Sequence, residues 1–140
     1  MKNAIPIIQP IAGKDDARLM ELYVVAFRTD KKTIACLTIQ PGFRFSASIP
    51  RFFWRVVGHP LQGEFLPASL AHDALYQTEF LPRDTADNAF YELLRTQGVG
   101  RIKAYTMYLA VSLLGWHLWP HTAYQKHISR HYCSISYKPA

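Results

Sequence analysis

The stretch PASLAHDALYQTEFLPRDTADNAFYELLRTQG, from Pro67 to Gly98, decides how this chain is read. Its first half carries apolar residues at helical spacing: Leu70, Ala71, Ala74 and Leu75 form one stripe that runs through Tyr76. Phe80 to Arg83 breaks the pattern, because Pro82 has no N–H to give a helix interior. Asp84 then suits the cap of a second helix through Gln97, with Ala86, Phe90, Leu93 and Leu94 inward. Asp84 and Asp87 place negative charge in its first turn, where the helix dipole favours it. Gly98 and Gly100 end it. A connection this short makes the two helices antiparallel neighbours.

Working outward, a third helix runs from about Arg101 to Trp116 and stops near Pro120. Upstream, Pro50 suits the first turn of a helix over Arg51 to Val57, with Ser48 as its cap and Gly58-His59-Pro60 as its end. The N-terminal part reads as β. Leu22 to Phe27 is rich in β-branched and aromatic residues, Thr33 to Ile39 alternates, and Thr29-Asp30-Lys31-Lys32 joins them as a hairpin. Pro6 and Pro10 leave at most an edge element before it. Phe43 to Ile49 reads as an extended connector, and His131 to Tyr137 alternates as a strand returning to the hairpin. The expectation is an α+β fold in one domain: a small antiparallel sheet, the N-terminal hairpin with the C-terminal strand, packed on three to four helices. The hairpin covers about 20–40, the helical layer about 50–119 and the tail 120–140.

Composition supports one packed unit, since 49% of the 140 residues are hydrophobic and a disordered chain lacks such material. Only 19% are charged, which points to a partner surface or a life near a membrane. Sixteen Lys and Arg against ten Asp and Glu leave +6, favouring an anionic partner such as lipid headgroups, wall polymers or an acidic protein. Nucleic acid is disfavoured, because the basic residues are scattered and no nucleic-acid motif accompanies them. Ile102 to Trp119 falls short of the ~20 apolar residues of a bilayer crossing and carries Tyr105, Thr106, Tyr108, Ser112 and His117, so no integral span is expected. Met1 to Pro6 lacks the apolar core of a signal peptide, which makes the cytoplasm the expected location. Cys36 and Cys133 both lie in apolar strand-like stretches and are expected reduced and buried. His117 and His121, like His127 and His131 beside Cys133, have the spacing of zinc pairs. Pro120 interrupts the first pair and no second cysteine is near, so packing or exposed histidines are the simpler reading. There is no phosphate-binding glycine loop and no serine nucleophile elbow.

One constellation carries chemistry. His72 and Tyr76, four apart, share a helix face, while Asp73 points about 100° away. Asp87 on the neighbouring helix can approach His72, and Tyr76 can donate to Asp87 and lock it. A carboxylate bonded to one imidazole nitrogen fixes the tautomer and leaves the other to deprotonate water. Asp73, aimed at the same cleft, would hold calcium or another divalent cation through oxygen, polarising a carbonyl or phosphoryl group. A plainer reading stands beside this one: Asp87 serves its helix dipole, and His72 bonds a backbone carbonyl.

Ala47-Ser48-Ile49-Pro50-Arg51, His72-Asp73-Ala74-Leu75-Tyr76, Ala86-Asp87-Asn88-Ala89-Phe90 and Tyr108-Leu109-Ala110-Val111 followed by Gly115-Trp116 occur here in that order. In this the chain resembles an uncharacterised family common in tailed phages and prophages. The likeness covers about residues 42 to 119 and implies a phage origin, in the host cytoplasm or the virion, with other virion proteins as partners. It also marks Ser48 and Arg51 as supporting residues. The family often has a Thr-Asp pair just before Ala-Ser-Ile-Pro, where this chain has Arg44-Phe45. A more distant similarity is to secreted calcium-dependent phospholipases, which carry His-Asp-x-x-Tyr on one helix and a partner Asp on an antiparallel one. That similarity implies His72 as water-activating base, Asp73 as calcium ligand, and Tyr76 and Asp87 as its support. The chain departs from it in lacking the flanking cysteines and the glycine-rich calcium loop. Two functions lead as expectations: a small metal-assisted hydrolase, or a non-catalytic tail, baseplate or host-interaction protein in which the cluster is structural; a binder of anionic membrane or nucleic acid, resting mainly on the +6 charge, trails them.

Overall fold

The computed structural model describes residues 2–11, 16–46, 63–115 and 123–140. The strands are β1 (Ile8–Pro10), β2 (Asp16–Leu19), β3 (Tyr23–Arg28), β4 (Thr33–Ile39), β5 (Arg44–Ser46) and β6 (Cys133–Pro139). The helices are α1 (Leu66–Thr78), α2 (Arg83–Thr96), α3 (Arg101–Leu114) and α4 (Ala123–Tyr132). The fold is α+β, with two antiparallel three-stranded sheets among the described residues. Among the described residues no helix is long and apolar enough to cross a membrane.

Alternation builds the larger sheet. Tyr23, Val25 and Phe27 face inward from β3, and Ala35, Leu37 and Ile39 from β4, in a register running from Tyr23 opposite Ile39 to Arg28 opposite Ile34. The C-terminal strand joins the free side of β4, from Thr33 opposite Pro139 to Ile39 opposite Cys133, giving the order β3-β4-β6. The second sheet, β1-β2-β5, is an addition to the sequence expectation. Its strands have three or four residues, too few for a periodic signal, and Arg44–Ser46 belongs to what the sequence suggested was only a connector. Pro10 sits in β1, at an edge, where a missing N–H is tolerated.

Helix α1 is the centre of the molecule. The sequence suggested one apolar stripe, yet every residue from Leu66 to Thr78 is buried except Asp73 and Gln77, which are half-buried. Helix α2 packs along one side, α4 along another, and β5 touches a third. Its last turn ends at Glu79, in a left-handed conformation (φ 51°), whose N–H bonds Leu75 O, while Arg130 Nε donates to Thr78 O at 2.7 Å. Those bonds satisfy carbonyls that a helix end leaves open.

Four local expectations need correcting. Helix α2 starts two residues earlier than expected, at Arg83, with Pro82 as its cap; Asp84 lies inside the first turn. Asp87 is therefore beyond that turn and 1% exposed, so the dipole is not what places it there. Gly98 ends α2 with φ +90°, whereas Gly100 caps the start of α3. Helix α4 occupies part of the stretch that reads as a tail. It is largely polar, with Ser129 as its buried member, so no apolar stripe announces it. The expected helix over residues 51–57, with Ser48 and Arg51, lies outside the described residues.

The register of β4 and β6 separates the two cysteines. Cys133 pairs with Ile39 on the inner face, whereas Cys36 lies opposite Ser136 on the outer face. Both are free; Cys133 is buried as expected, while Cys36 is only half-buried, because it points away from the core. Burial, helped by the Asp73 carboxylate, pushes the Cys133 thiol from 9.0 up to about 12. Its neutral form is favoured in the folded state, so that stabilisation is complete below pH 9 and is lost as pH climbs towards 12. In a Cys36→Ser variant, a thiol reagent at pH 8 should find nothing to label until denaturant is added. Rapid labelling of the native variant would contradict this packing.

Candidate active site between helices α1 and α2

The turn at Phe80–Pro82 folds α2 back along α1, and the two helices bring four polar side chains together. His72 and Tyr76 project from one face of α1 at i, i+4 spacing. Asp87 projects from α2 between them. His72 Nε2 lies 2.7 Å from Asp87 Oδ1, and the Tyr76 hydroxyl donates to the same oxygen at 2.7 Å. With Asp87 as a carboxylate, Nε2 carries the imidazole proton and donates it to that oxygen. Arg83, one turn before Asp87, donates from Nε to the Tyr76 oxygen at 3.2 Å and stands 3.9 Å from Asp87 Oδ2. Its Nη2 also bonds Ser112 O on α3, which fastens the third helix to the cluster.

The surroundings are apolar and close. His72, Tyr76 and Asp87 are 3%, 2% and 1% exposed. The imidazole is wedged between the Tyr76 ring, 4.2 Å between centroids, and the Phe90 ring at 4.9 Å, so its orientation is fixed by packing as well as by hydrogen bonding. Burial first, and the Asp87 carboxylate second, push the Tyr76 phenol far above its ordinary value against a smaller opposing pull from Arg83. It therefore remains a donor at any ordinary pH. The Tyr76 oxygen is also boxed in from α3, since a Cβ added at Gly115 would lie 2.8 Å from it.

Asp73 belongs to a different neighbourhood. Its Oδ2 accepts the Ser46 N–H at 2.9 Å and the Gln77 amide at 2.7 Å, tying α1 to β5. Gln77 Nε2 also donates to Arg44 O at 3.0 Å, and its Oε1 accepts from Ser129 Oγ at 2.8 Å. No group of three or more His, Cys, Asp or Glu side chains suited to a metal ion occurs among the described residues. Calcium takes six to eight oxygens, and the contacts shown for Asp73 Oδ2 are N–H donors. His127 and His131 stand on the exposed face of α4 with ring centroids 6.3 Å apart. Ser48, Arg51, His117 and His121 lie outside the described residues.

Sequence reasoning named His72, Asp73, Tyr76 and Asp87 but missed Arg83 and Gly115. The i, i+4 spacing of Arg83 and Asp87 was the available signal for the arginine. Nothing local marks Gly115, because its role is to leave room for a side chain 39 positions away in the chain. Where the phage-family resemblance leads one to look for Thr-Asp, Phe45 is buried and Arg44 pairs with Asp16 at 2.9 Å.

Fold and site together define an α+β protein organised around a buried His–Asp–Tyr constellation on an antiparallel helix pair. The chain belongs to the family described as "Protein of unknown function (DUF1353)", which matches residues 20–111 and so takes in the hairpin and helices α1 to α3 up to Val111. It is 39% identical over 69 residues to "Uncharacterized protein y4jT" of Sinorhizobium fredii (strain NBRC 101917 / NGR234). That match takes 49% of this chain and 20% of the relative, so the chain spans about a fifth of that protein's length. No solved structure matches the chain.

Replacing Gly115 by Ala should lower stability by about 1–3 kcal/mol, because the Tyr76 hydroxyl is held from two sides and cannot step aside. Combining it with Tyr76→Phe, which removes the crowded oxygen, should make the two changes cost less together than their sum by at least ~0.5 kcal/mol. Urea denaturation of the four proteins measures this. Strict additivity would mean that the two residues do not share a contact.

Proposed function

We propose that this protein is a small phage or prophage hydrolase in which His72 is the general base and Asp87 the carboxylate that orients it. The 2.7 Å contact between His72 Nε2 and an oxygen that also accepts from Tyr76 carries this reading. Asp87 holds the ring in one tautomer, so that Nδ1 is the atom through which His72 takes a proton from water attacking an ester, amide or phosphoester. As that proton arrives, the adjacent carboxylate offsets the charge of the imidazolium. Tyr76 and Arg83 keep the carboxylate from rotating. The same partners in the same order are what the similarity to calcium-dependent phospholipases implies. A divalent cation at Asp73, calcium foremost, is tested separately, and no step here runs through it.

Wild-type protein should cleave at least one member of a panel of fluorogenic esters, peptides and phosphodiesters. His72→Asn and Asp87→Asn should each lower turnover by about 10²-fold or more, with circular dichroism and melting showing both variants folded. Adding calcium, or a chelator, reads the cation arm. Wild-type turnover in the folded His72→Asn variant, or a panel left uncleaved by the wild type, would reject the enzyme.

The near-complete burial of His72 and Asp87 favours a second reading. Here the cluster is a polar tie between helices in a non-catalytic tail, baseplate or host-interaction protein, and the +6 charge supports an anionic host component as its partner. Purified particles carrying the protein at fixed stoichiometry would favour it.

A further inference from the structure

Away from the His–Asp cluster, the second sheet and α4 enclose a cleft of about 480 Å³, a size ordinary for small-molecule sites. Strand register decides what faces it. Asp16 lies opposite Ser46, Ala17 opposite Phe45, and Arg18 opposite Arg44. Ala17, Leu19 and Phe45 are in the core, so Asp16, Arg18, Arg44 and Ser46 are turned to the other face, where the cleft lies.

Two arginines directly opposite each other on one face repel, and such a pair needs an anion. Asp16 supplies one to Arg44, its Oδ2 accepting from Nε at 3.1 Å and Nη2 at 2.9 Å. Arg18 has no ion pair or side-chain hydrogen bond among the described residues. The cleft therefore holds two guanidinium groups against a single carboxylate. Its floor is rigid, because Gln77 is bonded to Arg44 O, Asp73 and Ser129 at once and so holds β5, α1 and α4 at fixed spacing. An apolar wall is provided by Ile128 and by Tyr132, whose ring is backed edge to face at 6.4 Å by the buried Phe43. A planar guanidinium recognises carboxylate and phosphoryl oxygens through paired N–H donors.

We propose that this cleft binds a small ligand carrying an oxyanion, phosphoryl or carboxylate, held by Arg18 with Arg44 beside it and with its apolar body against Ile128 and Tyr132. The site lies on a different face of α1 from His72, so it stands or falls independently of the hydrolytic reading.

Phenyl phosphate and phenylacetate are titrated into the full chain at low salt and followed by amide NMR. At least one should bind saturably, with shifts concentrated at Arg18, Arg44 and Ser46; which one binds more tightly identifies the anion. Arg18→Gln should weaken that binding about tenfold or more, its spectrum otherwise unchanged because the side chain is exposed. Lys138→Gln, an equal change in charge on the exposed end of β6, should leave it within about twofold. The proposal is overturned if neither probe saturates, if Arg18→Gln binds like the wild type, or if Lys138→Gln weakens binding as much.

Discussion

A carboxylate taken out of water must be met by donors, and in this protein Asp87 sets that demand. Hydrogen bonds from His72 and Tyr76 on α1 meet it, with the Arg83 guanidinium close behind. Removing one partner from such a buried group costs about 3–5 kcal/mol, because the others remain in the core without it. The pairing of α1 with α2 is therefore specified by polar contacts as well as by apolar packing. The antiparallel turn, the position of Gly115 on the third helix and the grip of Arg83 on Ser112 are all compatible with one placement of that carboxylate.

The same constraint explains why α1 carries so many polar residues while being almost wholly buried. Each has a direction and a partner. His72 and Tyr76 look towards α2, Thr78 Oγ1 returns to Ala74 O in its own helix, and Asp73 and Gln77 reach β5 and α4. A helix covered on several sides cannot advertise an inner and an outer face, and its polar side chains act as connectors to three neighbouring elements. Site and scaffold consequently share residues. The most informative variants are those that keep the shape and change a single atom's chemistry, such as His72→Asn.

Much of this was legible in the residues. Tyr23–Arg28 and Thr33–Ile39 alternate because one face of their sheet is buried, and the short polar link between them leaves a hairpin as the natural connection. The helix pair showed itself through Pro82 and the spacing of Leu70, Ala74, Phe90 and Leu94, and the i, i+4 positions of His72 and Tyr76 put both on a shared face. Cys36 misled because membership of a strand does not say which side a residue faces; only the register with β6 does. Helix α4 was hidden because, apart from Tyr132 at its end, its contacts with the body run largely through Ser129, Arg130 and Lys126, polar residues that carry no hydrophobic period.

Periodicity along the chain determined the larger sheet, the three apolar helices and the candidacy of a histidine and an aspartate for one site, since these follow from interactions within a few turns or across a tight hairpin. Tertiary structure alone decided the β1-β2-β5 sheet, the role of Arg83 and Gly115, the turning of Asp73 towards β5, and the placing of Arg18 opposite Arg44 over a cleft. Each of those depends on segments far apart in the chain meeting in one register, and the free energy that selects a register belongs to the assembled core.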